Sequence, residues 1–89
     1  MPVNINVIFK SGVGQLNAEQ FRKGASLGTG STDKTGTIPF ADVQVGDAFS
    51  ISGACAGTAD MTISVTTVPA TPVTFQAGNI FGSFTITKI

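Results

Sequence analysis

The sequence predicts an all-β fold, a small antiparallel β-sandwich or barrel of about six strands with one short helix. Three observations predict it. Apolar residues alternate with Ser, Thr or Asn along several short segments, and a strand sends successive side chains to opposite faces. These segments recur at intervals of roughly ten residues, with Gly, Pro, Asn and Asp between them, the residues that make turns. Each segment carries only one apolar face, which needs a second layer to bury it. The chain, residues 1–89, is expected to form a single β domain with a flexible Gly/Ser/Thr-rich loop at 24–36. A domain of this length buries roughly 60–65% of its unfolded surface, so its stability margin is thin.

In chain order, Val3, Ile5, Val7 and Phe9 alternate with Asn4 and Asn6 and predict a first strand. Ile8 interrupts the polar side, which implies that part of that face is covered. Ser11–Gly14 ends the strand. Asn17, with Gln20 three residues later, matches a helix N-terminus, and Gly24 after Arg22 and Lys23 matches a helix stop, so a two-turn helix is expected near Asn17–Lys23. The stretch 24–36, GASLGTGSTDKTG, has almost nothing apolar to bury and reads as the long loop. Thr37–Phe40 resumes extended structure, at an edge or a bulge because Pro39 cannot donate to a ladder.

Gly46-Asp47 then turns the chain into the pair around which the rest is organised, Asp47–Gly53 and Asp60–Thr66, joined by small residues. Val68–Pro72 is a turn or edge connection, limited by two prolines. Val73 and Phe75 mark a fifth strand, Gly78-Asn79 a turn, and Phe84 and Ile86 a last strand running to Ile89. Phe49, Ile51, Ile63, Val65, Phe75, Phe84 and Ile86 are the expected core.

Charge is sparse. Five basic and five acidic residues cancel. A neutral surface argues against nucleic acid as a partner, since that binding neutralises phosphates, and against a polybasic membrane contact. Between Ala48 and Thr87 the only charged residue is Asp60, among twelve serines and threonines. Outward faces built from hydroxyls pack against another protein without desolvating ions. The hydroxyl side of the Asp60–Thr66 strand, Thr62, Ser64 and Thr66, is therefore the expected docking face.

The residues offer no legible catalytic chemistry. Histidine is absent, which removes the commonest general base and metal ligand and rules out a hydrolase triad of the usual kind. The single Cys55, between Ala54 and Ala56, excludes an internal disulfide and reads as a small buried thiol. Gly12-x-Gly14-x-x-Asn17 lacks the third glycine of a dinucleotide fingerprint. Gly28–Thr35 has the spacing of a phosphate-binding loop, but Asp33 stands where the second glycine belongs and no helix follows. Asp33, Asp42, Asp47 and Asp60 do not have calcium-loop spacing, and Asp47 reads as a turn residue bonded to its own backbone. No catalytic residue, cofactor or metal is assigned. Seven phenylalanines without Tyr or Trp read as core. MPVNINVIFK lacks the charge and apolar run of a signal peptide, so folding in the cytoplasm is the expectation.

The phrase Val45-Gly46-Asp47-Ala48-Phe49-Ser50-Ile51-Ser52-Gly53 resembles a "GD-x-F-x-I-x-G" strand phrase of tailed-phage coat and accessory capsid proteins. The resemblance covers nine residues. It implies an auxiliary, decoration or cement role on a virion assembled in a host cytoplasm, and carries over no functional residue. The expected function is accordingly a non-enzymatic assembly protein. Its expected partners are protein, either capsid or tail subunits or further copies of itself, with neither nucleic acid nor membrane. The alternative is an extracellular adhesion or carbohydrate-binding β-sandwich.

Overall fold

The computed structural model describes all 89 residues, Met1 to Ile89. Nine strands form: β1 (Val3–Phe9), β2 (Gly14–Arg22), β3 (Ala25–Thr32), β4 (Gly36–Phe40), β5 (Ala48–Cys55), β6 (Ala59–Ile63), β7 (Thr66–Val68), β8 (Val73–Phe75) and β9 (Gly78–Lys88). They make a four-stranded sheet in the order β4-β1-β6-β8 and a five-stranded sheet in the order β3-β2-β5-β9-β7, and every pair is antiparallel. Only the link from β2 to β3 stays within one sheet; every other connection crosses to the opposite one. The all-β class holds. The strand count is higher than expected, and the expected pair of organising strands does not pair. β5 and β6 stand in different sheets.

The expected helix at Asn17–Lys23 is instead most of β2. The capping pattern was outweighed by period-two burial: Leu16, Ala18 and Gln20 are buried while Asn17, Glu19 and Phe21 lie on the other face. Gln20 disguises the alternation because it is polar and yet points inward. Lys23 and Gly24, which read as a helix stop, are the two centre residues of the β2–β3 hairpin. Both have positive φ, 52° and 81°, as a type I′ turn requires.

The expected loop at 24–36 is also largely a strand. β3 needs no apolar side chain because the inward positions of its regular part are Gly28, Gly30 and Thr32, two of them glycines. A Cβ on Gly30 would stand 2.5 Å from Ile38 Cγ2 of β4, so the two sheets close together there because the side chain is missing. The expected strand Asp60–Thr66 ends early. β6 stops at Ile63, and the chain crosses at Ser64-Val65 to start β7 in the other sheet. Gly78-Asn79, expected as a turn, already belongs to β9.

Eighteen buried hydrophobic residues from both sheets form one core. β1 contributes Val3, Ile5, Val7 and Phe9, all buried, with a strictly alternating pattern. Of the expected core, Phe49, Ile51, Ile63, Phe84 and Ile86 are buried, whereas Val65 and Phe75 are half-buried at the margin. Phe49 is fully enclosed and packs on Phe40, with ring centroids 4.7 Å apart. Ile8, expected under cover, is half-exposed on the outer face of the four-stranded sheet. Gly53 answers another close approach. Its φ is 147°, and a Cβ there would run into the backbone carbonyl of Gln15 on β2, so any larger residue forces the β2–β5 ladder apart.

Candidate docking surfaces

The two sheets turn very different faces outward. On the four-stranded sheet the register sets Thr37 beside Asn6 and Asn6 beside Thr62, and it sets Ile8 beside Asp60 and Asp60 beside Thr74. These polar groups are largely paired with one another. Thr37 Oγ1 donates to Asn6 Oδ1 at 2.6 Å, and Thr74 Oγ1 donates to Asp60 Oδ1 at 2.8 Å. Lys10 Nζ lies 3.4 Å from Asp60 Oδ2. The Thr74 hydroxyl, then Lys10, lower the Asp60 carboxyl below its ordinary value.

On the five-stranded sheet the register builds rows: Ser31, Asn17, Ser52 and Phe81 in one, Thr29, Glu19, Ser50 and Ser83 in the next, Gln15, Ala54 and Asn79 in a third. Glu19 is the only charge among them. Within these rows a single side-chain hydrogen bond forms, from Gln15 Nε2 to Asn17 Oδ1. A concavity of about 390 Å³ lies among Asn17, Glu19, Thr29, Ser31, Ser50 and Ser52. Phe81, paired with Ser52 of that lining, has 79% of its surface exposed and is the most exposed large apolar residue of the chain. Sequence reasoning assigned Phe81 to the core with the other phenylalanines. The usable signal was parity: Ile80 and Phe84 are an even number of residues apart and point inward, which puts Phe81 outside.

The three expected docking residues do not share one strand face. Thr62 lies on the outer face of the four-stranded sheet, between Asn6 and the sheet's edge. Ser64 follows the end of β6, where its Oγ accepts the Asn4 N–H at 2.9 Å. Thr66 opens β7 in the other sheet and pairs with Lys88. What brings all three together is the crossover: they line a shallow depression of about 270 Å³ with Thr67 and Thr71.

The strongest electrostatic feature is inside. Asp47 is 1% exposed at the start of β5. Its Oδ1 accepts Arg22 Nε at 2.9 Å, and its Oδ2 accepts Arg22 Nη2, Gln20 Nε2 and the Gln44 backbone N–H, each at 2.9 Å. The two-pronged Arg22 contact is first in holding the carboxyl down to about 2, against the opposing effect of burial. The same contact raises the Arg22 guanidinium. Gln20 Nε2 also donates to the Asp42 carbonyl at 2.6 Å, and Arg22 Nη1 lies 3.6 Å from the Asp42 carboxylate. The cluster ties the segment 41–46 to β2 and fixes the entry into β5. Its donors and acceptors are engaged with one another, which makes it a joint of the fold.

The remaining motifs resolve as structure. Gly12 is a turn residue with φ 79° between β1 and β2. In Gly28–Thr35 the Thr35 hydroxyl accepts the Phe9 N–H, and the Thr32 hydroxyl donates to the Lys34 carbonyl. Cys55 is buried, its Sγ 3.5 Å from the Gln76 carbonyl oxygen. No protein-family model, curated protein or solved structure matches this chain.

Proposed function

We propose that the chain is a non-enzymatic assembly protein that docks on a repetitive protein surface, such as a phage capsid or tail, and that it works as part of a virion. The observation that supports this reading is the outer face of the five-stranded sheet. It is nearly uncharged, its polar groups are largely free to pair outward, and Phe81 projects from it as a ready apolar anchor. Interfaces draw most of their energy from a few aromatic anchors surrounded by neutral contacts, and repetition makes modest affinity per copy sufficient. The depression that Thr62, Ser64 and Thr66 line remains a secondary contact in this reading.

Co-sedimentation with purified tailed-phage capsids or tails tests it. The chain should pellet with the particles equally at low and high salt, since ion pairs contribute little. Phe81→Ala and Ser52→Lys should each abolish pelleting while leaving the melting curve intact; retention of pelleting by both variants sinks the proposed face. The polar concavity beside Phe81 also favours a second reading, a glycan held by Asn17, Glu19 and the surrounding hydroxyls. Retention on immobilised glycans, with no pelleting, would select it.

A further inference from the structure

The sandwich has four strand edges, and three of them are closed. β7 and β8 are three residues long, with Pro69 directly after β7 and Pro72 directly before β8. β4 has five residues and carries Pro39 within it. Short strands and prolines are how proteins prevent one sheet from adding to another. β3 is different: eight residues, Ala25–Thr32, without a proline or a charge. Its only guard is an irregularity at Leu27, where Gln20 pairs with Gly28 but Phe21 pairs with Ser26. That bulge bends the first part of the strand, and Gly28 at its end keeps a positive φ of 147°; from Gly28 to Thr32 the register with β2 is unbroken and the outer edge is unpaired.

We infer that β3 is a self-association edge: two copies of this chain pair antiparallel through Gly28–Thr32, joining their five-stranded sheets into one continuous sheet. The geometry of pairing selects the register. Residues directly opposite each other in an antiparallel pair put their side chains on the same face. A two-fold axis perpendicular to the sheet must therefore pass over a residue, and the centre of the regular segment is Gly30. Thr29 of each copy then faces Ser31 of the other on the outer side, hydroxyl against hydroxyl. Gly28 faces Thr32 on the inner side. The axis falls on a residue with no side chain, whose inner flank is already covered by Ile38. Beyond the segment, Asp33 and Lys34 run alongside Leu27 and Ser26 of the second copy, so no like charges meet. The zero net charge of the chain adds no repulsion between copies. The edge is complementary to itself, which is why a second copy is the occupant. A dimer also carries two docking faces, and so couples this edge to multivalent binding.

Analytical ultracentrifugation of the unaltered chain across a wide concentration range tests the inference, together with amide hydrogen exchange at the two ends of that range. A monomer–dimer equilibrium is expected, with the amides of Gly28–Thr32 exchanging more slowly at high concentration. Thr29→Lys and Ser31→Lys, both at exposed positions, should each raise the dimer Kd by at least about tenfold. Thr62→Lys, on the opposite sheet, should leave it unchanged. A chain that stays monomeric throughout, a dimer indifferent to both β3 lysines, or concentration-dependent protection confined to strands other than β3 would overturn it. Should a lysine variant fail to fold, the exchange measurement on the unaltered chain decides alone.

Discussion

Asp47 and Asp60 are both held below their ordinary pKa and both lie beside a basic side chain, yet they do different things. Asp47 is enclosed and receives four hydrogen bonds, two of them from one rigid guanidinium whose own position is fixed in β2. Asp60 keeps a third of its side chain exposed and receives one hydroxyl and one flexible ammonium. An ion pair in water gains little, because solvent screens it and ordering a long side chain costs entropy. An enclosed pair with its lone pairs occupied is costly to dismantle from one side, since the remaining charge is left without a partner. The fold hangs on the first aspartate and merely carries the second.

Removing the Asp47 carboxylate should therefore produce the largest effect. Asp47→Ala leaves Arg22 and Gln20 without their shared acceptor and frees the segment 41–46 from β2. The expected loss is about 3 kcal/mol, a large share of the margin of so small a domain. Urea unfolding followed by circular dichroism measures it. A midpoint equal to the parent's would show that the Asp42 carbonyl and carboxylate suffice to hold Arg22.

Acid sharpens the same contrast. The Asp47 carboxyl is lowered from 3.8 to about 2 on folding. A depressed folded pKa stabilises fully above the unfolded value, and that contribution is lost as pH falls through the folded one. Stability should therefore decline between about pH 4 and pH 2, by about 2 kcal/mol from this group. Asp47→Asn removes the titration, so its stability should fall less over that window than the parent's. Equal slopes would mean that other carboxylates dominate acid unfolding.

This joint shows what the sequence made legible. The alternation in β5, in Val3–Val7 of β1 and in Ser83–Thr87 of β9 was readable because burial there follows the simplest rule, apolar inward and polar outward. β2 was not, because its third inward residue is Gln20, placed to serve an acceptor 27 positions away. A helix-capping pattern is local; the competing partner was not. The backbone part of the Asp47 reading was local too, and correct as far as the Gln44 N–H, whereas Arg22 lay out of sight. β3 was hidden for a different reason: its inward positions are Gly28, Gly30 and Thr32, so it has no hydrophobic period at all. The docking residues Thr62, Ser64 and Thr66 kept a perfect alternation through a crossover, and alternation cannot report that the chain has changed sheets. Phe81 was legible by parity but was masked by the general preference of phenylalanine for the interior.

The smallest expected effect completes the comparison. Asp60→Asn keeps the size and the acceptor for Thr74 but removes the charge facing Lys10. Thr74 can still donate to the amide oxygen, and the freed ammonium, more than half exposed, returns to water at little cost. The thermal midpoint at neutral pH should coincide with that of the parent, and adding salt should not separate the two curves, because screening has nothing substantial to remove. A clear destabilisation that salt reproduces in the parent would place the Lys10–Asp60 pair among the contacts that hold β1 and β6 together. The contrast between the two aspartates would then rest on burial alone, and the number of donors would cease to explain it.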